Sequence, residues 1–470
     1  MSTPKDIFVC VDVGSTYTKA AAVDVDTGEL LATASTQTTL ATDVMDGLRH
    51  VAGEVSAEAR VADTLVCSSA GGGLKLGVIG NEPLVTARAA YRAGLSAGAR
   101  VAHVCAGQLD ADDFATLATA EPDVILLAGG TNGGDASVLL EHTDALAAAT
   151  KNHAQLRVPV VVAGNADVAD EVRTKLQTAG LPVRCVDNVL PKIGHLTPGP
   201  ARLALRETFL QHVIAGKELS AGDDFVSLVR AATPDAVLAG VELLADTANT
   251  DLLVVDVGGA TTDVYSVLTP DAELEGPRAE VAGTAWRSRT VEGDLGVRHT
   301  ATGIVEAAQD EDLLQPDEAD TLTTAARYRY DNPEYRADTD AERAVDARLT
   351  SLAAGIAVRR HARGERIGGP SEPLRGSKDL AAVDLVIGSG GVLRGNPVAA
   401  LGWLRSSVCN DTAGGFRPAR DAKVAVDANY VLAPAGLIAT AGHTETAQRL
   451  LHHERGSWND YGSFQEKPVT

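Results

Sequence analysis

Apolar and polar positions open this chain as strands and then give way to short buried runs set between helical stretches. Residues 6–13 (Asp-Ile-Phe-Val-Cys-Val-Asp-Val) are an almost unbroken apolar run that ends at Asp12 and drops into Gly14-Ser15-Thr16. Such a run predicts a strand buried on both faces. Residues 18–25 and 30–36, separated by the turn Asp26-Thr27-Gly28-Glu29, predict two further antiparallel strands. A helix is expected over 44–55 and a strand over 64–69, running into Gly71-Gly72-Gly73. From residue 83 the pattern changes. Apolar runs at 101–105, 124–128, 158–163 and 183–186 are separated by Ala-rich helical stretches of crossover length, which predicts a parallel sheet covered by helices.

Prolines 191, 198 and 200 mark a link between lobes, followed by a helix over 201–214. A second apolar strand then ends at Asp256 and turns through Gly258-Gly259-Ala260-Thr261-Thr262 into a hairpin partner over 263–268. Residues 305–363 read as helical and highly charged, with the acid–base alternation over 341–363 expected to face solvent. A polar loop spans 364–379, and a strand at 381–387 runs into Gly388-Ser389-Gly390-Gly391. A strand at 423–426, a helix starting near Pro434 and a frayed tail after Gly456 complete the pattern. The strand and turn at 9–19 thus return at 254–263, and the echo runs from near residues 7–70 to 251–440, which suggests two related lobes. The predicted organisation is a first lobe over 1–200 carrying inserted strand-helix units and a helical connector over 201–250. A second lobe over 251–304 and 381–455, a helical insertion over 305–380 and a flexible tail over 456–470 complete it.

The length of 470 residues exceeds one ordinary core, in keeping with that division. With 45% hydrophobic and 22% charged residues the chain is globular, and with 4% aromatics its core must come from Val, Leu, Ile and Ala. A net charge of −22 argues against nucleic acid or an anionic membrane as a general partner, while leaving room for a local basic pocket. Five scattered cysteines without a C-x-x-C pair read as buried free thiols. No stretch approaches a membrane span and the start lacks signal-peptide architecture, so a cytoplasmic location is expected.

The two turns carry the chemistry. Facing each other across a cleft, they would present backbone N–H groups and hydroxyls to a polyphosphate, with Asp12 and Asp256 placed for a phosphate-bound Mg²⁺. The candidate phosphate contacts are Gly14, Ser15, Thr16, Thr18 and Lys19 from the first turn, and Gly258, Gly259, Ala260, Thr261 and Thr262 from the second. Lys19 either reaches a phosphate or is an exposed edge lysine; Asp263 either orients a water or caps its turn. Gly388, Ser389, Gly390 and Gly391 form a flat, side-chain-poor surface on which a purine and ribose could rest. Rival phosphate motifs are absent: Gly216-Lys217 is followed by Glu218, so there is no P-loop, and no G-x-G-x-x-G opens a helix after the first strand.

In these residues the chain resembles the superfamily of actin, heat-shock chaperones and sugar kinases. Residues 12–19 and 256–263 resemble its two phosphate motifs and 388–391 its adenosine motif, while Ala433-Pro434-Ala435-Gly436 is similar to its second connecting helix. The resemblance implies an α/β, actin-like ATPase fold with two ribonuclease-H-like lobes around a nucleotide cleft, using ATP and Mg²⁺. It gives Asp12 and Asp256 the metal, and Asp12, Asp256 and Asp263 the catalytic positions. Longer segments resemble the glutamate mutase accessory protein family (GlmL, also called MutL, unrelated to the mismatch-repair protein). They are Cys67-Ser68-Ser69-Ala70-Gly71-Gly72, Leu127-Ala128-Gly129-Gly130-Thr131, Asp187-Asn188-Val189-Leu190-Pro191, Pro200-Ala201-Arg202 and 289–298 (Arg-Thr-Val-Glu-Gly-Asp-Leu-Gly-Val-Arg). That resemblance implies an ATPase acting as a reactivating or chaperone factor for an adenosylcobalamin-dependent carbon-skeleton mutase. A small-molecule kinase of the same fold, an activator of radical dehydratases and a non-catalytic ATP-bound scaffold are the alternatives.

Overall fold

The computed structural model describes residues 5–40, 42–57, 59–70, 74–82, 85–96, 99–209, 220, 224–269, 287–363, 378–411 and 417–458. The apolar opening run is β1 (Asp6–Val13), antiparallel to β2 (Tyr17–Asp24), which is antiparallel to β3 (Leu30–Gln37). Helix α1 (Val44–Ser56), capped by the Asp43 carboxylate, carries the chain back so that β4 (Arg60–Ser68) lies parallel to β1. The chain then builds a separate, wholly parallel sheet. Its elements are β5 (Lys75–Gly80), α2 (Thr86–Ser96), β6 (Arg100–Ala106), α3 (Ala111–Thr119), β7 (Val124–Leu127), α4 (Ser137–Ala149), β8 (Val160–Val162), α5 (Ala169–Thr178) and β9 (Val183–Cys185), in the order β6-β5-β7-β8-β9. After α6 (Gly199–Thr208) and α7 (Asp224–Leu228), β10 (Val229–Ala232) returns to the first sheet beside β4 and runs straight into α8 (Thr233–Ala248).

The second half repeats this plan. β11 (Leu252–Val257), β12 (Thr262–Val267) and β13 (Arg287–Glu292) are antiparallel, and β14 (Leu385–Ser389) and β15 (Lys423–Val426) are added in parallel. Helices α9 (Ala301–Asp310), α10 (Pro316–Asp331) and α11 (Asp340–Arg363) lie between β13 and β14. Helices α12 (Gly391–Gly395) and α13 (Pro397–Leu404) precede β15, and α14 (Leu432–Thr440) and α15 (Thr444–Trp458) follow it. The sheet orders β3-β2-β1-β4-β10 and β13-β12-β11-β14-β15 are the same ribonuclease-H-like arrangement twice over. Each fifth strand leads into a central helix, α8 or α14. Two such lobes joined by crossed helices make this an actin-like ATPase fold.

Period-two alternation decides what each strand shows to which core. In β1, Ile7, Val9, Val11 and Val13 face α1, whereas Phe8 and Cys10 face a cluster shared with α8, α14 and the inner face of the second sheet. In β11, Leu253, Val255 and Val257 face α9 and α11, while Leu252 and Val254 join the shared cluster. Asp12 and Asp256 are therefore the last even-numbered positions of their strands and project towards the middle of the molecule. There α8 and α14 cross at two glycines. A Cβ built on Gly240 would collide with the carbonyl of Leu432, and one on Gly436 with the carbonyl of Ala236.

Four differences from the sequence pattern have physical reasons. Strands β5, β10 and β13 are absent from the expected elements: β5 contains two glycines, the four-residue β10 follows a helix without a turn signal, and β13 carries three charged residues in six. The stretch 201–250 thus supplies the first sheet's fifth strand as well as helices. Helix α11 does not present a solvated charged side. Its middle, from Leu349 to Val358, is buried nearly all round, and its end charges are consumed in ion pairs. Asp346 is held by Arg298 and Arg329, and Arg359 by Glu311 and Asp411. The expected features at Gly71-Gly72-Gly73, the 210–214 end of the helix after Pro200, residues 364–377 of the polar loop and residues 459–470 lie outside the described residues. All five cysteines are free, four of them buried. Among the described residues no helix is long and apolar enough to cross a membrane.

Candidate functional site

Each phosphate-type turn is a tight hairpin closed by one backbone bond, Gly14 N to Tyr17 O at 3.0 Å in the first and Gly258 N to Thr261 O at 2.9 Å in the second. The hairpin registers match: Asp12 lies opposite Lys19 and Asp256 opposite Asp263. The turns face one another so closely that a Cβ on Gly259 would sit 2.9 Å from Thr16 Oγ1. That hydroxyl oxygen is buried and has no hydrogen-bond partner among the described residues. The two turns, α12 and the Pro333–Arg336 loop line one cleft of about 1380 Å³.

The two carboxylates differ. Asp12 is 5% exposed and fully engaged. Its Oδ1 accepts from Thr233 Oγ1 at 2.5 Å, and its Oδ2 from Tyr430 Oη at 2.7 Å, with Lys19 Nζ 3.5 Å away. Asp256 has no hydrogen-bond partner among the described residues. Burial pushes its carboxyl above the ordinary range, opposed by the charges of Lys19 and Arg394. Burial pulls the Lys19 ammonium down, opposed chiefly by Asp12. Asp263 accepts from Arg289 at 2.9 Å.

Gly14, Ser15, Thr16, Lys19, Gly258, Gly259, Ala260, Thr261, Gly390 and Gly391 all line the cleft, as do Asp12, Asp256 and Asp263. Four expected contacts do not. Thr18 and Thr262 are paired with Val13 and Val257, on the opposite face of the pleat from Asp12 and Asp256. Their hydroxyls are spent on Thr38 Oγ1 at 3.1 Å and the carbonyl of Leu295 at 2.7 Å. Gly388 lies against Leu404 and Leu393, and Ser389 is buried at 2% exposure. Gly390 is required by its backbone: φ is +114°, and a Cβ there would strike the Val257 carbonyl.

The sequence profile of the MutL protein family matches residues 8–454. Protein MutL of Clostridium tetanomorphum is 36% identical over 403 residues, covering 83% of this chain and 86% of that protein. The chain belongs to the MutL protein family. Among solved structures, a nucleotide-free acetone carboxylase is 14% identical, with a TM-score of 0.34 over 83% of this chain and 66% of that one. The ATP-dependent caprolactamase of Pseudomonas jessenii is 12% identical with a TM-score of 0.34 over 97% of this chain and 77% of that one. The gluconate kinase of Lactobacillus acidophilus is 10% identical with a TM-score of 0.30 over 97% of both chains. Likenesses this low carry no inference about activity.

The MutL-type segment 289–298 braces the second turn from behind. Val297 N donates to Gly258 O, and Arg298 N and His299 N both donate to Gly259 O, at 2.9–3.0 Å. The turn's carbonyls are thereby drawn away from the cleft. Gly296 is there because a Cβ would collide with Ala260. Arg298 then ties this brace to the helical insertion through Asp346, which also receives the buried Arg329. From the same insertion, Arg336 Nε donates to Tyr17 Oη at 2.9 Å, spanning the cleft mouth.

Sequence reasoning missed Thr233, Arg394, Tyr430 and Arg336. Arg394 lines the cleft without an ion pair among the described residues, and its guanidinium lies 4.6 Å from the Tyr430 ring centre. The Gly388–Gly391 turn followed by a basic residue three positions on was the available signal. Nothing local marks Thr233 or Tyr430.

Asp427 also sits beside this group, fully buried, accepting from the backbone N–H of Val431 and Leu432 at the start of α14. Burial pushes its carboxyl up to about 6. Because the folded value lies above the unfolded one, the folded state binds this proton more tightly. The associated stability is fully present below about pH 4 and is lost as pH rises through about 6, by up to roughly 3 kcal/mol. Asp427→Asn, which keeps an acceptor for Val431, should flatten that slope. Urea midpoints of both proteins between pH 4 and 7 measure it; parallel curves would exclude Asp427 as its source.

Proposed function

We propose that this MutL family member is a Mg²⁺-dependent ATPase whose lobes close on the nucleotide, acting as an accessory factor to an adenosylcobalamin-dependent carbon-skeleton mutase. The observation that carries the nucleotide reading is the juxtaposition of the two hairpin turns, with the orphaned Thr16 hydroxyl between them and the open charges of Asp256 and Arg394 beside them. On a chain of net charge −22, Lys19, Arg394 and Arg336 bring positive charge to this cleft beside its carboxylates. The mutase half of the reading is supported by family membership and the sequence resemblance.

The residues fit a metal that arrives with the nucleotide. No group of three acidic, histidine or cysteine side chains among the described residues could hold an ion alone. Asp256, free of hydrogen bonds among the described residues, would orient such an ion's water shell, and Thr16 Oγ1 would meet a phosphate oxygen. Bound magnesium would neutralise phosphate charge during transfer. Lys19 and Arg394 bind the phosphates, the Ser15–Thr16 and Gly259–Thr261 N–H groups cradle them, and Asp263, fixed by Arg289, orients the attacking water. Catalysis is then positional and electrostatic.

Isothermal calorimetry with ATP, with and without magnesium, tests the first half. Micromolar or tighter binding that weakens on chelation is expected, and no binding would overturn it. Phosphate release measured with and without purified adenosylcobalamin-dependent glutamate mutase carrying inactivated cobalamin tests the second half. Stimulation is expected; identical rates, with no return of mutase activity, would overturn it.

A further inference from the structure

Both crossed helices hang on the single carboxylate of Asp12. Thr233, the first residue of α8, bonds to one oxygen at 2.5 Å, and Tyr430, two residues before α14, bonds to the other at 2.7 Å. Tyr430 also carries this attachment to the cleft's cations, alongside the direct pairing of Lys19 with Asp12. Lys19 Nζ lies 4.0 Å from its ring centre and the Arg394 guanidinium 4.6 Å away. Its backbone is left-handed at φ +56°, a conformation that a bulky aromatic residue keeps only when its surroundings hold it there.

We infer that Tyr430 is a positioning residue that reports an occupied cleft to the α8–α14 crossing. This inference rests on the nucleotide reading above. Lys19 and Arg394 bear on Asp256, where the phosphates would lie. A charge-assisted bond to a phosphate oxygen outweighs a cation–π contact at a partly exposed site. Polyphosphate therefore draws both cations off the Tyr430 ring. The ring loses both cation contacts, and its bond to Asp12, with the Tyr430 N–H bond to Asp427 O at 3.3 Å and its packing on the shared cluster, is left to carry the strain. Relief moves the start of α14 relative to α8. The crossing has no slack to absorb that movement locally, because Gly436 and Gly240 already bring each helix against the other's backbone. The displacement passes to the two lobes, whose inner faces pack on these helices.

The test is Tyr430→Phe, which keeps the ring for Lys19 and Arg394 but cannot bond to Asp12. Hydrogen exchange of residues 233–248 and 431–440 is followed with and without magnesium AMP-PNP, alongside calorimetric affinity. In the native protein the analogue should change exchange in both helices. In Tyr430→Phe its Kd should stay within about threefold of native, the ring contacts being retained, while the exchange change in both helices falls by more than half. A merely structural role would instead alter exchange without nucleotide and leave the nucleotide-dependent difference intact. That pattern overturns the proposal, as does a native protein that binds the analogue with no change in either helix. Absence of binding in the native protein, read by calorimetry, would instead remove the nucleotide reading and this inference with it. Tyr430→Ala, lacking the ring as well, removes the competitor for the two cations and should bind the analogue at least as tightly as the native protein; clearly weaker binding there would show that the ring does not compete with phosphate for Lys19 and Arg394, and would overturn the proposal.

Discussion

Asp256→Asn should retain ATP binding within about tenfold and lower single-turnover hydrolysis by about a hundredfold to a thousandfold, the range for losing one preorganised electrostatic contact. The substitution is isosteric, and it removes charge from a side chain that makes no hydrogen bond among the described residues, so the fold has little reason to respond. The same change at Asp12 should do the opposite. Asp12 accepts from Thr233 and Tyr430 and pairs with Lys19, so Asp12→Asn leaves at least one of those groups poorly matched at a buried position. Its larger effect is expected on the urea midpoint, by about 1–3 kcal/mol. Rapid-quench hydrolysis and denaturation of both variants separate the two roles. Equal loss of hydrolysis with no stability difference would show that the two carboxylates act alike.

That division between two similar aspartates bears on how much the chain discloses in advance. The echo of the two strand-turn units was legible because burial on both faces writes an unbroken apolar run, and because an anion-facing turn needs Gly, Ser and Thr. Even the facing of Asp12 and Asp256 followed from counting by two along β1 and β11. The same count would have removed Thr18 and Thr262 from the ligand set: each is one step from the cleft-facing Lys19 or Asp263 and so points into its own lobe. Motif membership had been allowed to outrank the pleat. Helix α11 misled for another reason. Its charges read as solvated because their partners, Arg298, Glu311 and Asp411, come from distant elements that no local window includes. Thr233, Arg394 and Tyr430 were hidden in the same way. Their role arises where the ends of separate elements converge on Asp12 and its neighbours, and that convergence is a property of the crossing.

The crossing itself predicts the largest loss of stability. Gly436→Val should destabilise the protein by at least about 3 kcal/mol, beyond the usual cost of overpacking a core, because the obstacle is backbone and cannot rotate away. In an exposed helix, replacing glycine by a residue with a side chain gains a few tenths to about 1 kcal/mol. Here a Cβ would fall inside the Ala236 carbonyl, and the reciprocal position, Gly240, meets Leu432 in the same manner. Separating the helices enough to admit two methyl groups would part the shared cluster formed by Phe8, Leu238, Val254 and Leu437. It would also pull Thr233 and Tyr430 off Asp12. Because either glycine alone forces that separation, Gly240→Ala combined with Gly436→Ala should cost clearly less than the sum of the single changes. Urea denaturation of the two single variants and the double variant measures this. Additive losses would mean that the helices accommodate each side chain locally, and then movement at one end of α14 need not reach the lobes at all.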